Sequence, residues 1–486
     1  MRTLLALGAL LGLGACHSGS ASGPLEVLLP TEVESIDPRA ATDAASLRAS
    51  RLVHAGLAGL HPQTLEPFPL LAESFVWEGP LALRVKLRPN ARFHDGKALG
   101  AQDVIATFAA FRTSRFGHVV EPIDSIIEDK GDLRFVLKRP HATLLSALEV
   151  PILRADQAAS SPGRGDTLDG LGPYRVAAMR PGELALFPAG NGIAPAPALA
   201  VTLRTVKDEN ARALRLLSGR ADMVQNGISP TLLPALRGRE GLFFQSQKGA
   251  NLTYMMARTD RGALGDARVR RALSMGIDRA RIARTLLSET ATPASSLLPE
   301  GHWARTERPA LAFDPEGARA LLRSAGVTAL KLTLSTSTDR LRGTIARTMA
   351  QMLADIGVTV EVVPLELGSL LARLNAGEFE LATLQLPEIA EPNTFRVFLH
   401  SAQIPPYGSN RARVSVPELD ALLDRGASEQ DLTARRRIYA ALDDLVLEKA
   451  LWIPLFYERH VAVLGPRAQA YMPSADGRYG DLANLK

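Results

Sequence analysis

The residues best equipped for chemistry fall in one stretch, residues 384–410, LQLPEIAEPNTFRVFLHSAQIPPYGSN. Two carboxylates, Glu388 and Glu391, open it, and two aromatics, Phe395 and Phe398, occupy its middle. A Pro-Pro-Tyr-Gly-Ser-Asn turn follows over residues 405–410. A strand-like run over residues 379–386 feeds into the stretch. A loop that leaves a strand with carboxylates, aromatics and prolines is a candidate ligand-gripping element, because loops held by a rigid scaffold carry most binding chemistry. The alternative is an ordinary surface loop with two solvated carboxylates.

Elsewhere the constellations that enzymes use are missing. There is no G-x-S-x-G elbow, no H-E-x-x-H helix, no P-loop and no G-x-G-x-x-G turn. The nine histidines are scattered, and none stands four residues from another, the helical spacing of metal ligands. Cys16 is the only cysteine, which excludes internal disulfides and any zinc site built on several thiolates. Met349 and Met352 read as core. No metal, cofactor or catalytic residue is expected, and the chain reads as a non-enzyme.

At 486 residues the chain exceeds what one core supports, so two or three domains are expected. With 46% hydrophobic and 22% charged residues it is globular, neither disordered nor a multi-span membrane protein. The formal charge of +5 is small for so large a surface, and no Lys/Arg block concentrates it, which argues against nucleic-acid binding.

The N-terminus sets the compartment. Arg2 precedes an apolar run over residues 4–13, too short to span a bilayer comfortably and suited to the core of a secretory signal. Leu13, Gly14 and Ala15 then lead directly into Cys16, a pattern that resembles the bacterial lipobox. That resemblance implies a signal peptide over residues 1–15, lipidation of Cys16, and a short flexible tether over residues 16–24. The alternative is a plain signal peptide cut at another site.

Folded elements must hold these residues. Residues 24–30 read as a strand and 45–57 as a helix. Residues 81–87 and 133–137 read as strands around a helix at 102–111. Residues 158–172, rich in Gly, Ser and Asp, read as an interdomain connector. A hairpin over residues 174–187 and a strand over 200–206 follow. The next helix is capped by Asp208 and closed by Gly219. One helix is expected over residues 269–287. Asp314, Pro315 and Glu316 start another helix, which stops at Gly326. A strand at 330–334, an apolar stripe through Ile345, Met349, Met352, Leu353 and Ile356, and a strand at 358–363 make a right-handed crossover with a parallel sheet. Helices at 419–423 and 437–447 precede two late strands, 452–457 and 461–464.

Several stretches then converge. LRPNARFHDGKALGAQDV at residues 87–104 closely resembles a signature of the bacterial extracellular solute-binding proteins of family 5, the peptide, dipeptide, nickel and opine-type receptors of ABC importers. The same family's pattern recurs at GLGPYRV (170–176), VTLRTVKDENARALRLLSGRADM (201–223), DARVRRALSMGIDRARI (266–282), FDPEGARALLRSAGV (313–327) and IPLFY (453–457). The series runs in order through nearly all of the mature chain. One departure is Gly100, where the family usually carries Thr or Ser; a hydroxyl there would cap the following helix.

The resemblance implies an α/β fold: a two-lobed periplasmic binding protein, type II and cluster C-like, with an extra domain in the first lobe. Its implied division gives the first lobe residues 25–60, 165–248 and 465–486. The extra domain takes residues 61–164 and the second lobe residues 249–464. Two crossing strands join the lobes, which close on ligand like a hinged clamp. The implied function is delivery of a small peptide-like solute to the transmembrane subunits of an ABC permease, by a monomer anchored outside the cytoplasm. A nickel chelate, an opine or a sugar-derived solute is the alternative cargo. A periplasmic enzyme or chaperone on the same scaffold is the alternative role.

In related peptide receptors an aspartate just upstream of an acid-Pro pair binds the ligand's α-ammonium. Here Glu391-Pro392 is that pair and Glu388, one methylene longer, stands at the aspartate's position. Arg340 and Arg342 lie where relatives often place a carboxylate-binding arginine. Asn393, Phe395 and Tyr407 complete the expected ligand-binding set, the two aromatics as candidates for the cleft lining.

Overall fold

The parallel strands Leu25–Leu29, Val201–Thr205 and Met223–Gln225 are neighbours, with the first in the middle. The antiparallel hairpin Tyr174–Arg180 and Glu183–Pro188 extends this sheet at one edge. A second sheet pairs Leu330–Ser337 in parallel with Val358–Leu365 over their whole length. It continues through Leu381–Leu386 to the antiparallel strand Leu252–Ala257. The computed structural model from which this architecture is read describes residues 23–288 and 290–486. The expected signal peptide, Cys16 and most of the expected tether lie outside the described residues.

One strand belongs to both sheets. In Trp452–Leu464, 13 residues long, residues 459–464 pair with Phe243–Lys248 on the first sheet. Residues 452–456 pair with Leu252–Ala257 on the second. The expectation of two late strands is corrected here: Glu458, Arg459 and His460 break the apolar pattern without breaking the strand. The chain therefore crosses between the sheets twice, near residues 249–251 and near 457–459.

A third, antiparallel sheet stands apart, in the order Ala72–Trp77, Ala82–Leu87, Asp132–Leu137 and Ile123–Asp129. The helix Ala101–Arg112 covers it, with Phe108 edge-on to Phe135 at 5.3 Å. This helix starts at Gly100 without a side-chain cap, but Asp103 accepts a hydrogen bond from the Gly100 amide at 2.9 Å, half of a capping box.

Each sheet has its own core. Leu25, Val27, Tyr174, Tyr471 and Leu482 pack together on the first, and Leu83, Phe93, Phe108 and Phe135 on the third. The second sheet is covered on both faces. Met255, Leu334, Ile345 and Met349 fill one side, and Tyr254, Leu370 and Trp452 the other. Covering both faces explains why LTYMMA at 252–257 is apolar without alternation and buried throughout.

Helix starts follow their caps. Asp208 accepts from the Ala211 amide, Asp314 from Gly317 and Asp339 from Arg342, contacts each contributing about 1 kcal/mol. The single helix expected over residues 269–287 is two, Ala267–Met275 and Arg279–Leu286. The apolar period runs through both, but Asp278 leaves helical geometry and caps the second by accepting from the Arg281 amide at 2.8 Å.

Candidate functional site

A cavity of about 290 Å³ opens where the shared strand passes from one sheet to the other. Asn226, Glu458 and His460 form its floor, Arg48 faces it from the helix Ala44–Val53, and Pro387 and Glu388 face it from the loop after Leu381–Leu386.

The wall facing Glu388 is a network of buried charges and hydrogen bonds, in which the buried Arg48 Nε has no hydrogen-bond partner among the described residues. Arg48 and Arg51 lie one turn apart on a helix that is otherwise apolar and small. Arg51 donates to the Glu149 carbonyl. Burial draws the Arg51 guanidinium down to about 10. The Glu149 carboxylate holds Arg478 at 2.6 Å, and Asp476 approaches the same guanidinium at 3.1 Å. Burial opposes the Arg478 cation, but these two carboxylates outweigh it and raise its pKa. His460 is buried, with one ring nitrogen 2.7 Å from the Asn226 amide and the other 3.1 Å from the Ala475 carbonyl. Burial lowers its pKa to about 4, so it is neutral, accepting from Asn226 and donating to Ala475.

The second-lobe wall is less complete. Glu388 sits at φ +47°, in the left-handed region that costs a non-glycine residue roughly 1 kcal/mol. Its side chain is 37% exposed, and its nearest cation is Arg48 Nη2, 3.7 Å away across the cavity. That is beyond hydrogen-bond range, so the carboxylate accepts no hydrogen bond among the described residues.

Glu391, three residues on, is fully engaged. Arg435 meets it at 2.5 Å, Ser146 donates to it at 3.2 Å, and the Asn393 amide donates at 3.0 Å. Arg435 is buried and stacks over Trp303 and Tyr439. Beside this pair His302 is buried 3.3 Å from the Ala390 carbonyl, and burial lowers its pKa to about 4.

The other sequence-selected residues spread out. Arg342 is pinned by Glu458 at 2.6 Å and Thr253 at 3.1 Å, beside the cavity. Arg340 is exposed at the first turn of the helix Arg340–Ala354. Asn393 faces an open groove of about 870 Å³ between the 61–164 region and the second lobe, and its buried Oδ1 has no hydrogen-bond partner among the described residues. Phe395 is 1% exposed, edge-on to Trp452, and Tyr407 is 84% exposed. The fold thus brings Glu388 to the cavity, sets Arg342 beside it through Glu458, and places Phe395 in the core and Tyr407 on the surface. Sequence reading missed Arg48, Arg51, Glu149, Arg478 and His460. The one local signal was the pair of arginines interrupting an apolar helix.

The sequence pattern described as bacterial extracellular solute-binding proteins, family 5 Middle, matches residues 66–402. The chain belongs to this family. Di/tripeptide-binding protein 2 of Pseudomonas aeruginosa is 27% identical, with 89% of each chain covered. Heme-binding protein A of Haemophilus influenzae is 25% identical, covering 84% of this chain and 82% of that protein. The ABC transporter substrate binding protein CtaP of Listeria monocytogenes superposes with a TM-score of 0.85 at 24% identity, over 95% of this chain and 99% of that one. This family 5 protein therefore has the two-lobed α/β fold of the solute-binding proteins. Its relatives are named as solute-binding proteins, which supports a non-enzyme role at the level of the family.

Proposed function

We propose that this family 5 protein is a lipid-anchored receptor of an ABC importer, which binds a peptide-like solute between its lobes and hands it to a transmembrane permease. The observation that carries the reading is Glu388. A carboxylate with an unfilled set of acceptors, on a strained backbone, faces a cavity at the crossing of two sheets. Residues held in costly conformations concentrate where a ligand uses them. A solute ammonium would complete Glu388 with charge-assisted hydrogen bonds. Arg342, beside the cavity and paired with Glu458, and Arg340, at the start of the same helix, are the arginines that the resemblance offers for a carboxylate at the solute's other end. Glu391, Asn393 and Phe395 hold the loop that presents Glu388.

Residues 25–60, 165–248 and 465–486 form the first lobe in this reading, 61–164 its extra domain and 249–464 the second lobe. The separate cores of the three sheets support that division. Relatives named for di/tripeptides and for periplasmic peptide transport support the cargo class. The protein acts as a monomer, without cofactor or nucleic acid, outside the cytoplasm.

Native mass spectrometry of the purified protein should reveal a co-purified solute, and a tripeptide pool should raise its melting temperature. Glu388→Gln should weaken binding of free-amine tripeptides about tenfold or more and spare their N-acetylated forms. Equal loss for both removes the ammonium role. Cys16→Ser should release the protein from membranes, and persistent retention refutes the anchor.

A further inference from the structure

A second cavity, of about 450 Å³, lies in the second lobe beyond the carboxyl ends of the strands Leu330–Ser337 and Leu381–Leu386. Gln385 and Pro387 line it and also line the interlobe cavity, so the two adjoin. Its volume lies in the usual range for small-molecule sites. Its walls mix apolar and aromatic residues, Tyr254 and Phe398 among them, with the polar Thr253, Thr336, Ser337 and Thr383.

Its charges do not balance. Arg342 and Arg411 line it, and no carboxylate does among the described residues. Arg342 is already neutralised by Glu458. Arg411 is not: its Nε donates to Asn375 Oδ1 at 2.8 Å, and no described carboxylate lies within ion-pairing distance. Two guanidinium groups against one carboxylate leave a net charge of +1. Burial lowers the pKa of Arg411, so the empty site disfavours its charge. With Nε fixed by Asn375, the two remaining nitrogens present a planar fork, the geometry that matches a carboxylate.

We propose that this cavity is an anion subsite: Arg411 receives a second carboxylate of the solute, such as an acidic side chain, and gives the receptor a preference for anionic cargo. The inference rests on the reading of the interlobe cavity as the solute site and adds the charge of what enters it.

Matched tripeptides carrying Glu or Gln at each position of an alanine background test it by titration calorimetry. At one position the Glu peptide should bind about tenfold tighter than its Gln partner. Arg411→Gln should abolish that preference and leave the Gln peptide's affinity unchanged. Arg411→Lys should retain part of it, and Asn375→Ala should weaken it less than Arg411→Gln. An unchanged ligand-free melting temperature shows that the variants fold. Equal affinities for Glu and Gln peptides at every position overturn the subsite while leaving the receptor reading intact. If no tripeptide binds, the peptide reading falls, and glutarate against glutaramide then decides the subsite: glutarate binding lost in Arg411→Gln supports it, and no Arg411-dependent binding overturns it.

Discussion

Glu388 and Glu391 stand three residues apart in one loop, yet their surroundings differ in every respect. Glu391 is met by a buried arginine, a serine from the 61–164 region and a backbone amide. Glu388 is half-exposed, backbone-strained and 3.7 Å from its nearest cation. The same side chain thus serves as a structural tie at one end of the loop and as an open acceptor at the other. Satisfaction of hydrogen-bonding capacity, and not residue type, separates scaffold from site.

The sharpest way to break this comparison is at the tie. Glu391→Gln leaves the Arg435 cation, 2% exposed, without its counter-charge. It should destabilise the fold by about 3–5 kcal/mol in urea unfolding. A loss below about 1 kcal/mol would mean that Glu391 is no structural tie and that its contrast with Glu388 does not hold.

Acid should act at both ends. His302 beside Glu391 and His460 beside the cavity both titrate near 4 in the fold, against about 6.5 unfolded. Between those values the unfolded chain binds more protons, so stability is present above about pH 6.5 and falls as pH drops toward 4. The loss is about 3 kcal/mol per histidine. His302→Gln and His460→Gln should each flatten the pH dependence of the melting temperature. A slope unchanged in both variants contradicts the burial that sets it.

Glu388→Gly should move stability in the opposite direction from Glu391→Gln. It relieves the left-handed backbone and should stabilise the empty protein by up to about 1 kcal/mol while abolishing free-amine binding. Destabilisation would show that Glu388 is a second tie. The smallest effect belongs to Tyr407→Ser. At 84% exposure it should change stability by less than about 0.5 kcal/mol, and affinity not at all. A measurable loss of affinity would bring the 405–410 turn into the site.

Much of the scaffold was legible because its signals are local. The apolar period of Arg340–Ala354, the cap at Asp314 and the stop at Gly357, where φ is +88°, each lie within one element. The break at Asp278 was hidden because the apolar period continues across it. The long strand was hidden because Glu458, Arg459 and His460 interrupt the apolar run, and these residues are polar because they line the cavity. Glu388 was legible from the loop it stands in. Its facing wall was not: Arg48, Glu149, His460 and Arg478 come from three distant parts of the chain, and only the crossing of the sheets brings them together.

The strand shared by both sheets has a mechanical consequence. At about 3.3 Å per residue, Trp452–Leu464 spans roughly 40 Å, and its polar residues 458–460 lie in its carboxyl-terminal half, where it leaves one sheet for the other. A rotation of one lobe against the other would be absorbed there and at the second crossing near 249–251, so the cavity, which Asn251 and Glu458 both line, sits at the fulcrum of a lever whose arms are the two sheets. In the proposed receptor, a solute held against Glu388 in this cavity would need to shift the backbone only slightly to swing the distant surfaces of both lobes by a few ångströms, which is the distance over which a docking face can be assembled or taken apart.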